Sequence, residues 1–282
     1  MTQITAQLIK ELRDRTGIGM GKCKEALVEA SGDIELAISN LRKAGMASAG
    51  KKEGRATNEG KIASAEQNGC IALAEVNAET DFVVRNDRFQ QFTQEIADEV
   101  ASSNPADLEK FMSQPFSKDS SLTVDQYRST VVQTIGENIQ IRRFECLSKD
   151  AQSSYGVYSH MGGQIVCLVE IAGSNEEEEL AREIAMHVAA AHPEFLNPEE
   201  VPNDVLENEK DIVRNQLKGK PSEVMEKIIL GKLNAYYEQN CLIKQKFIKD
   251  DKVTIEQLIE KRAKESGKQL RLKRFLRWNV GG

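Results

Sequence analysis

The sequence predicts an α+β protein with an N-terminal three-helix bundle, two related α+β subdomains with antiparallel strands, and an inserted helical hairpin. Three observations lead to this fold class. The first 45 residues carry apolar side chains at helical spacing, and two later stretches each have the pattern of a β-hairpin followed by a helix. A further stretch is periodic like a helix and shows no strand features. Two subdomains of one plan indicate an internal duplication.

Composition limits the classes of function. The chain has 282 residues, enough for two domains of roughly 150 residues each, and 40% of them are hydrophobic, so a core can form. The net charge of −6 disfavours nucleic acid as a direct partner. No apolar run approaches the roughly 18 residues of a membrane span, and the N-terminus lacks the layout of a signal peptide. We therefore expect a cytoplasmic protein without a membrane partner.

The sequence is poor in catalytic and metal-binding patterns. The five cysteines are scattered and never form a CxxC pair, which predicts reduced, mostly buried thiols and neither a disulfide framework nor a zinc site. Of the three histidines, His187 and His192 are five residues apart and so fall on different faces of a helix. No pattern places a nucleophile beside a base. We expect a protein that is not an enzyme and holds no cofactor or metal.

Residues 1–45 form the predicted three-helix module. Ile4, Leu8 and Leu12 recur at helical spacing, "TGIG" at 16–19 interrupts the pattern, and Asp33 is in position to cap the third helix. The following residues, 46–60, are rich in Gly, Ala and Lys and show no apolar periodicity, which predicts a flexible linker.

Beyond the linker the chain repeats a pattern. Residues 61–79 have the pattern of a hairpin turned by Asn68-Gly69, with a helix after it, and residues 155–173 repeat this arrangement. The two helices match residue for residue: Glu95, Ile96, Ala97, Val100 and Ala101 against Glu183, Ile184, Ala185, Val188 and Ala189. A chance likeness between strand-then-helix patterns is the alternative to duplication.

Each repeat ends in a strand flanked by basic residues, at 139–147 and 270–278. The predicted boundaries are therefore 61–148 for the first subdomain and 149–198 plus 241–282 for the second. The insertion at 199–240 has a helical stripe that is broken at "KGKP", residues 218–221, which predicts an antiparallel helical hairpin. Such a hairpin could dock on a partner, dock on a second copy of the chain, or simply extend into solvent without a binding role.

Two short stretches have a chemical and a structural interpretation. "GIGMGK" at 17–22 resembles a phosphate-binding loop, but a helix precedes it where a strand is needed, so a helix-to-helix turn that exposes Met20 is favoured. "EEEE" at 176–179 could bind a metal, but its place at a helix start favours interaction with the helix dipole.

The connection between the first hairpin and its helix is the strongest candidate for function. Eighteen residues separate Val76 from Glu95, whereas eleven separate the matching Ile171 from Glu183. The seven extra residues fall around 80–86 and include Asp81 followed by Phe82. Because the second subdomain forms without them, we expect a functional loop. The alternative is that Phe82 folds back onto the hairpin as a plug.

Several separate segments of the chain carry a resemblance to one family. They are "LRDRTGIGM" (12–20), "CKEAL" (23–27), "GDIELAI" (32–38), "EVNAETDFV" (75–83), "IGENIQIRR" (135–143) and "IAMHVAAAHPEFL" (184–196). In this order and over nearly the whole length, they resemble bacterial elongation factor Ts, the family of guanine-nucleotide exchange factors for elongation factor Tu. The resemblance implies a ubiquitin-associated-like N-terminal module, two related core subdomains and a coiled-coil hairpin that makes a homodimer contact in some members.

The resemblance also implies the contacts with elongation factor Tu. A loop enters the GTPase domain beside the nucleotide, disturbs the Mg²⁺ and phosphate site and releases GDP; here this loop is Thr80, Asp81, Phe82 and Val83. Two further contacts to the GTPase domain correspond to Arg13 and Met20. A contact to a β-barrel domain of the partner corresponds to His160, in the turn of the second hairpin.

The sequence departs from the family pattern at three places. Val84 stands where alanine is common, residues 104–121 have no clear counterpart and are assigned no role, and the further C-terminal helical module of some relatives is not expected here. Two other classes of function remain open: an enzyme that uses "GIGMGK" to bind a nucleotide, and an adaptor that bridges partners without affecting nucleotide exchange.

Overall fold

The computed structural model describes residues 4–216 and 222–282, which divide into two compact units. One unit is Met1–Lys149 with Asn279–Gly282, and the other is Asp150–Trp278. The elements are helices and antiparallel strand pairs, so the predicted α+β class is confirmed. No helix within the described residues is long and apolar enough to cross a membrane.

The first unit contains the three N-terminal helices and one complete subdomain. Its helices are α1 (Ala6–Thr16), α2 (Met20–Glu29), α3 (Ile34–Lys52), α4 (Asp81–Val84), α5 (Asp87–Ser103), α6 (Leu108–Ser113) and α7 (Val124–Ile135). Its strands are β1 (Glu59–Gln67), β2 (Cys70–Ala78), β3 (Pro115–Phe116), β4 (Asp119–Thr123) and β5 (Ile139–Ser148). The main sheet has the order β1-β2-β5, with antiparallel pairing throughout.

Local signals in the sequence explain where these elements begin and end. Thr5 caps α1 and Asp33 caps α3 with a side-chain oxygen, as expected for Asp33, while Gly17 ends α1 in the left-handed conformation (φ 68°). The turn at Asn68-Gly69 has positive φ at both residues (50° and 73°), as its sequence predicts. The bundle packs Leu12, Leu27 and their neighbours into a small core of its own.

The predicted flexible linker at 46–60 is wrong over its first half, because α3 continues to Lys52. Small residues on the C-terminal half of α3 pack closely: Ala49 is buried in the core of the first subdomain, and a Cβ on Gly45 would lie 3.0 Å from the Gln133 side chain of α7. After the helix, the Asn138 side chain donates hydrogen bonds to the carbonyls of Glu53 (3.2 Å) and Arg55 (2.9 Å). Periodicity missed this helix because its packing face is built from Ala and Gly.

One pair of cysteines also contradicts the sequence analysis. Cys70 on β2 and Cys146 on β5 form a disulfide, with Cα atoms 6.1 Å apart, so the expectation of reduced thiols is wrong for this pair. The other three cysteines are free and buried. The pairing was not visible in the sequence because 76 positions separate the two residues, and only the alignment of β2 with β5 brings them together.

The second unit repeats the plan of the first subdomain. Its strands are β6 (Ser153–His160), β7 (Ile165–Ala172), β8 (Lys246–Phe247), β9 (Asp250–Thr254) and β10 (Arg271–Asn279), and its main sheet has the order β10-β7-β6. Its helices are α8 (Glu178–Ala191), α9 (Asn203–Gln216), α10 (Ser222–Asn240) and α11 (Ile255–Ser266). Helices α9 and α10 pack against each other in the predicted insertion, while the predicted break at 218–221 lies outside the described residues.

The duplication extends beyond the hairpins, helices and final strands. From Gln114 to Phe144 each residue lies 131 positions before its counterpart in the second subdomain. Residues 114–121, part of the segment that was assigned no role, therefore correspond to 245–252 within the same chain. Thr123 and Thr254 close identical capping boxes on α7 and α11. Ion pairs repeat as well, with Lys118–Glu95 at 3.3 Å and Lys249–Glu183 at 2.8 Å.

A wholly buried glutamate sits at the same place in each main sheet. Glu75 on β2 accepts a hydrogen bond from Arg143 (2.7 Å) on β5, and Glu170 on β7 accepts from Lys273 (2.8 Å) and Arg274 (2.5 Å) on β10. These cations belong to the basic strands noted in the sequence. The buried carboxylates therefore explain why both final strands carry adjacent basic residues.

Candidate functional site

The seven-residue addition of the first subdomain folds into the short helix α4 between β2 and α5. Thr80 caps it, with its hydroxyl oxygen accepting from the Val83 N–H at 3.4 Å, and the Arg85 N–H donates to the Asp81 carbonyl at 3.2 Å. Asn86 then caps α5 through the Arg88 N–H at 2.9 Å. The two consecutive caps therefore fix the backbone between β2 and α5.

The two faces of α4 differ in exposure. Val83 and Val84 are half-buried and pack on the core of the first subdomain, which fixes the turn to the body. Phe82 points away from that core and is 81% exposed. The alternative of Phe82 as a plug is therefore wrong. Leaving a phenylalanine in water forgoes about 1.5–3 kcal/mol of stabilisation by burial.

Two glutamates hold the base of this loop. The Glu137 carboxylate accepts hydrogen bonds from the Thr80 N–H (3.1 Å) and the Thr80 hydroxyl (2.8 Å). The Glu79 carboxylate accepts from the Asn138 N–H (2.6 Å) and lies 3.3 Å from Arg55. Residues 79–80 and 137–138 are thus linked in both directions. Sequence reasoning missed Glu137, although it lies within the "IGENIQIRR" segment.

Asp81 is tied only loosely. Its carboxylate lies 3.0 Å from Arg85, and both side chains are largely exposed. Exposed pairs of this kind contribute about 0–1 kcal/mol. The Asp81 carboxylate can therefore leave Arg85 at little cost when another charge approaches.

The other predicted contact residues lie on separate elements. Arg13 is exposed on α1, and Met20, the first residue of α2, is 50% exposed. Gly17, between them, donates its N–H to the Arg13 carbonyl at 2.7 Å. "GIGMGK" is consequently a helix-to-helix turn, as favoured from the sequence.

The second hairpin ends in His160 and Met161. His160 is exposed at the end of β6, with Nδ1 3.2 Å from the Tyr158 hydroxyl. Met161 has a positive φ of 49° and is 71% exposed, so that, after Phe82, it is the most exposed large apolar side chain among the described residues. Met161 was not predicted as a contact residue; the unfavourable combination of an unbranched apolar residue with a hairpin tip was the signal available in the sequence.

Two further features that could carry chemistry, His187 and the acidic run at 176–179, have structural partners. His187 is buried, with Nδ1 accepting from the Ile248 N–H (3.3 Å) and Nε2 donating to Gln245 (2.9 Å). Burial lowers the pKa of His187, although the hydrogen bond with Gln245 opposes this shift. Within the acidic run, Glu177 pairs with Arg262 at 2.6 Å. Among residues 4–216 and 222–282, no group of three or more His, Cys, Asp or Glu side chains could hold a metal ion.

Comparison with known proteins gives one consistent result. The family model described as "Elongation factor TS" matches residues 79–282, which begin at the candidate loop. A protein named elongation factor Ts from Protochlamydia amoebophila is 59% identical over the full length of both chains. Proteins of the same name from Chlamydia muridarum and Chlamydia caviae are 43% and 42% identical, also over the full length of both chains.

Proposed function

This chain belongs to the elongation factor Ts family, and we propose that it acts as the guanine-nucleotide exchange factor of elongation factor Tu in the cytoplasm. It binds elongation factor Tu that carries GDP, promotes GDP release, and so allows GTP to bind during the elongation step of protein synthesis. The GTPase chemistry belongs to the partner, and this chain contributes binding energy, not a catalytic group. One observation carries the proposal: a capped and anchored turn holds Phe82 81% exposed.

The proposed mechanism places the Thr80–Val83 loop in the GTPase domain beside the nucleotide. GDP on such a protein is held by backbone amides and a lysine around its phosphates, with Mg²⁺ neutralising the charge. Phe82 enters as an apolar wedge, and Asp81, which is loosely paired with Arg85, brings a negative charge toward the Mg²⁺ and phosphate site. Both changes disfavour bound GDP.

An exchange factor works by binding the nucleotide-free partner better than the loaded one. Burial of Phe82 contributes about 1.5–3 kcal/mol, equal to roughly one to two decades in an equilibrium constant. Strong exchange therefore needs a wider footprint, which Arg13 and Met20 on the N-terminal module and His160 on the second hairpin supply. Because coupling is reciprocal, GDP or GTP weakens the complex by the same factor, so the protein recycles.

The helical insertion gives this chain a second proposed contact. Ile212 on α9 and Leu230 on α10 are 43% and 61% exposed, on helices that already pack against each other. We propose that a second copy of the chain covers this surface. A homodimer in sedimentation-velocity measurements that Leu230→Asp converts to a monomer would support this contact, and an unchanged mass would exclude it.

The test of the function is the release of labelled GDP from elongation factor Tu with and without this chain. The proposal predicts faster release with the chain, and equal rates would overturn it in favour of an adaptor. A direct titration of this chain alone with labelled GDP and ATP tests the alternative function of a nucleotide-binding enzyme, which would bind one of the two nucleotides. We expect no binding, because "GIGMGK" is a helix-to-helix turn.

A further inference from the structure

We propose that Glu137 is the positioning residue that holds the Thr80–Val83 loop in the conformation that exposes Phe82. The inference rests on the proposed exchange function and assigns a role to a residue outside the loop. Glu137 does not reach the tip of the loop, so it acts through Thr80.

Both oxygens of the Glu137 carboxylate engage Thr80. Oε2 accepts from the Thr80 N–H at 3.1 Å, and Oε1 accepts from the Thr80 hydroxyl at 2.8 Å. The same hydroxyl oxygen accepts from the Val83 N–H at 3.4 Å. A continuous chain of hydrogen bonds therefore runs from Glu137 through Thr80 into the turn that carries Phe82. Charge-assisted bonds of this kind are stronger than bonds between neutral groups.

Glu137 is itself held in place by the core. It follows Gly136, which ends α7 with a φ of 95°, and precedes Asn138, which is wholly buried. The Asn138 N–H donates to Glu79 at 2.6 Å, so the neighbours of Glu137 and Thr80 are bonded to each other as well. The four residues of α4 form a helix that is too short to be stable alone. Because its own backbone is fixed, the Glu137 side chain can hold this turn in place.

The second subdomain shows what this position does in the absence of the loop. The counterpart of Glu137 is Lys268, which follows Gly267 at the end of α11 in the same left-handed conformation. Lys268 donates to the Ser174 hydroxyl at 2.9 Å and pairs with Glu176, two positions before α8 begins. The position anchors the connection in both subdomains, but the charge is reversed. In the first subdomain the Glu137 carboxylate is an acceptor, and it meets the two donors that the loop offers, the Thr80 N–H and hydroxyl.

The first experiment measures GDP release from elongation factor Tu over a range of concentrations of the full-length chain. We expect Glu137→Ala to lower the maximal release rate about tenfold, the effect of losing a charge-assisted hydrogen bond. The half-saturating concentration should change less, since Arg13, Met20 and His160 are untouched. Lys268→Ala is the matched control and should leave the maximal rate unchanged. A wild-type maximal rate from Glu137→Ala would overturn the proposal.

A double-variant cycle tests whether Glu137 acts through Phe82. If it does, Glu137→Ala slows release little further when Phe82 is already alanine. Independent, multiplying effects of the two substitutions would contradict a positioning role. Glu137→Gln, which keeps the shape and one acceptor, serves as the second variant if Glu137→Ala does not fold, and it should give an intermediate rate.

Amide hydrogen exchange of the free chain gives a readout that needs no partner. The Thr80 and Val83 amides should exchange faster in Glu137→Ala than in the wild type, while amides of α8 do not change. Unchanged exchange at Thr80 and Val83 would refute the anchoring role even if GDP release is slow. If the wild-type chain does not accelerate release at all, the exchange function fails, and the amide data still decide whether Glu137 holds the loop.

Discussion

The two subdomains share one frame and differ in what is attached to it. Both have a hairpin, a helix, a small second hairpin, a capped helix and a final strand, with a buried glutamate at the same place. The first subdomain adds α4 after its hairpin, and the second adds α9 and α10 after its helix. The frame forms without either addition, as the other copy shows. The differences between the copies therefore point to function, and their common features to stability.

A single backbone position explains how the second subdomain dispenses with the loop. The counterpart of Ala78, the last residue of β2, is Gly173, which has a φ of 100°. From Gly173 the chain reaches α8 after four residues, 174–177, whereas eight residues, 79–86, separate Ala78 from α5. A Cβ on Gly173 would lie 1.9 Å from the Gln269 carbonyl oxygen.

The largest effect on stability is therefore expected from Gly173→Ala. Steric overlap and the left-handed backbone together should lower the free energy of unfolding by about 3 kcal/mol or more. Urea unfolding followed by circular dichroism measures it. The reciprocal Ala78→Gly should cost only about 1 kcal/mol, because it adds chain entropy and a small void. Equal losses would show that the two positions do not differ as described.

The buried glutamates provide a test of what the subdomains share. Glu170→Gln should cost about 3 kcal/mol, since it leaves Lys273 and Arg274 without their carboxylate, and Glu75→Gln should cost a similar amount. If only one of the two substitutions lowered the free energy of unfolding, the two glutamates would not have the same structural role. Urea unfolding at pH 7 makes this comparison.

The Glu170 carboxylate should also make the stability of the protein depend on pH in the acid range. Burial alone raises the pKa of Glu170, but hydrogen bonds from Lys273, Arg274 and Tyr155 outweigh it and lower the pKa to about 2. A depressed pKa means that this stabilisation is complete above the ordinary value of 4.5 and is lost as pH falls toward 2. The wild type should lose stability in this range more steeply than Glu170→Gln, and parallel pH profiles would contradict the assignment.

The smallest effect is expected at the hairpin tips. Asn68 in the first hairpin and Met161 in the second both have a φ near 50°, a conformation that Asn adopts more easily than Met. Met161→Asn should therefore raise the free energy of unfolding by about 0.5 kcal/mol, and Asn68→Met should lower it by a similar amount. Thermal unfolding of both variants checks the sign, and a loss of stability in Met161→Asn would show that Met161 is not strained.

Local patterns in the sequence predicted much of this architecture. The helical spacing of Leu8 and Leu12, the cap at Asp33, the Asn68-Gly69 turn and the seven added residues all depend on neighbours along the chain. The comparison of the two repeats also singled out the loop of Phe82, although only the structure decided between an exposed Phe82 and one folded back onto the hairpin.

Features that depend on distant pairing could not be predicted in this way. The disulfide between Cys70 and Cys146, and the bonds from Glu137 to Thr80, require the alignment of segments far apart in sequence. The extension of α3 was hidden because small residues carry no apolar stripe. The 131-residue offset was present in the sequence and would have identified Lys268 as the counterpart of Glu137.

The most direct test of the central claim is GDP release from elongation factor Tu with the Phe82→Ala chain at saturating concentration. We expect a release rate lower by about tenfold or more, with unchanged thermal unfolding because Phe82 is 81% exposed and packs on no core. Ile248→Ala, which removes a 47% exposed apolar side chain from the second subdomain, should release GDP like the wild type. Wild-type release from Phe82→Ala would contradict the claim that the added loop is the exchange element.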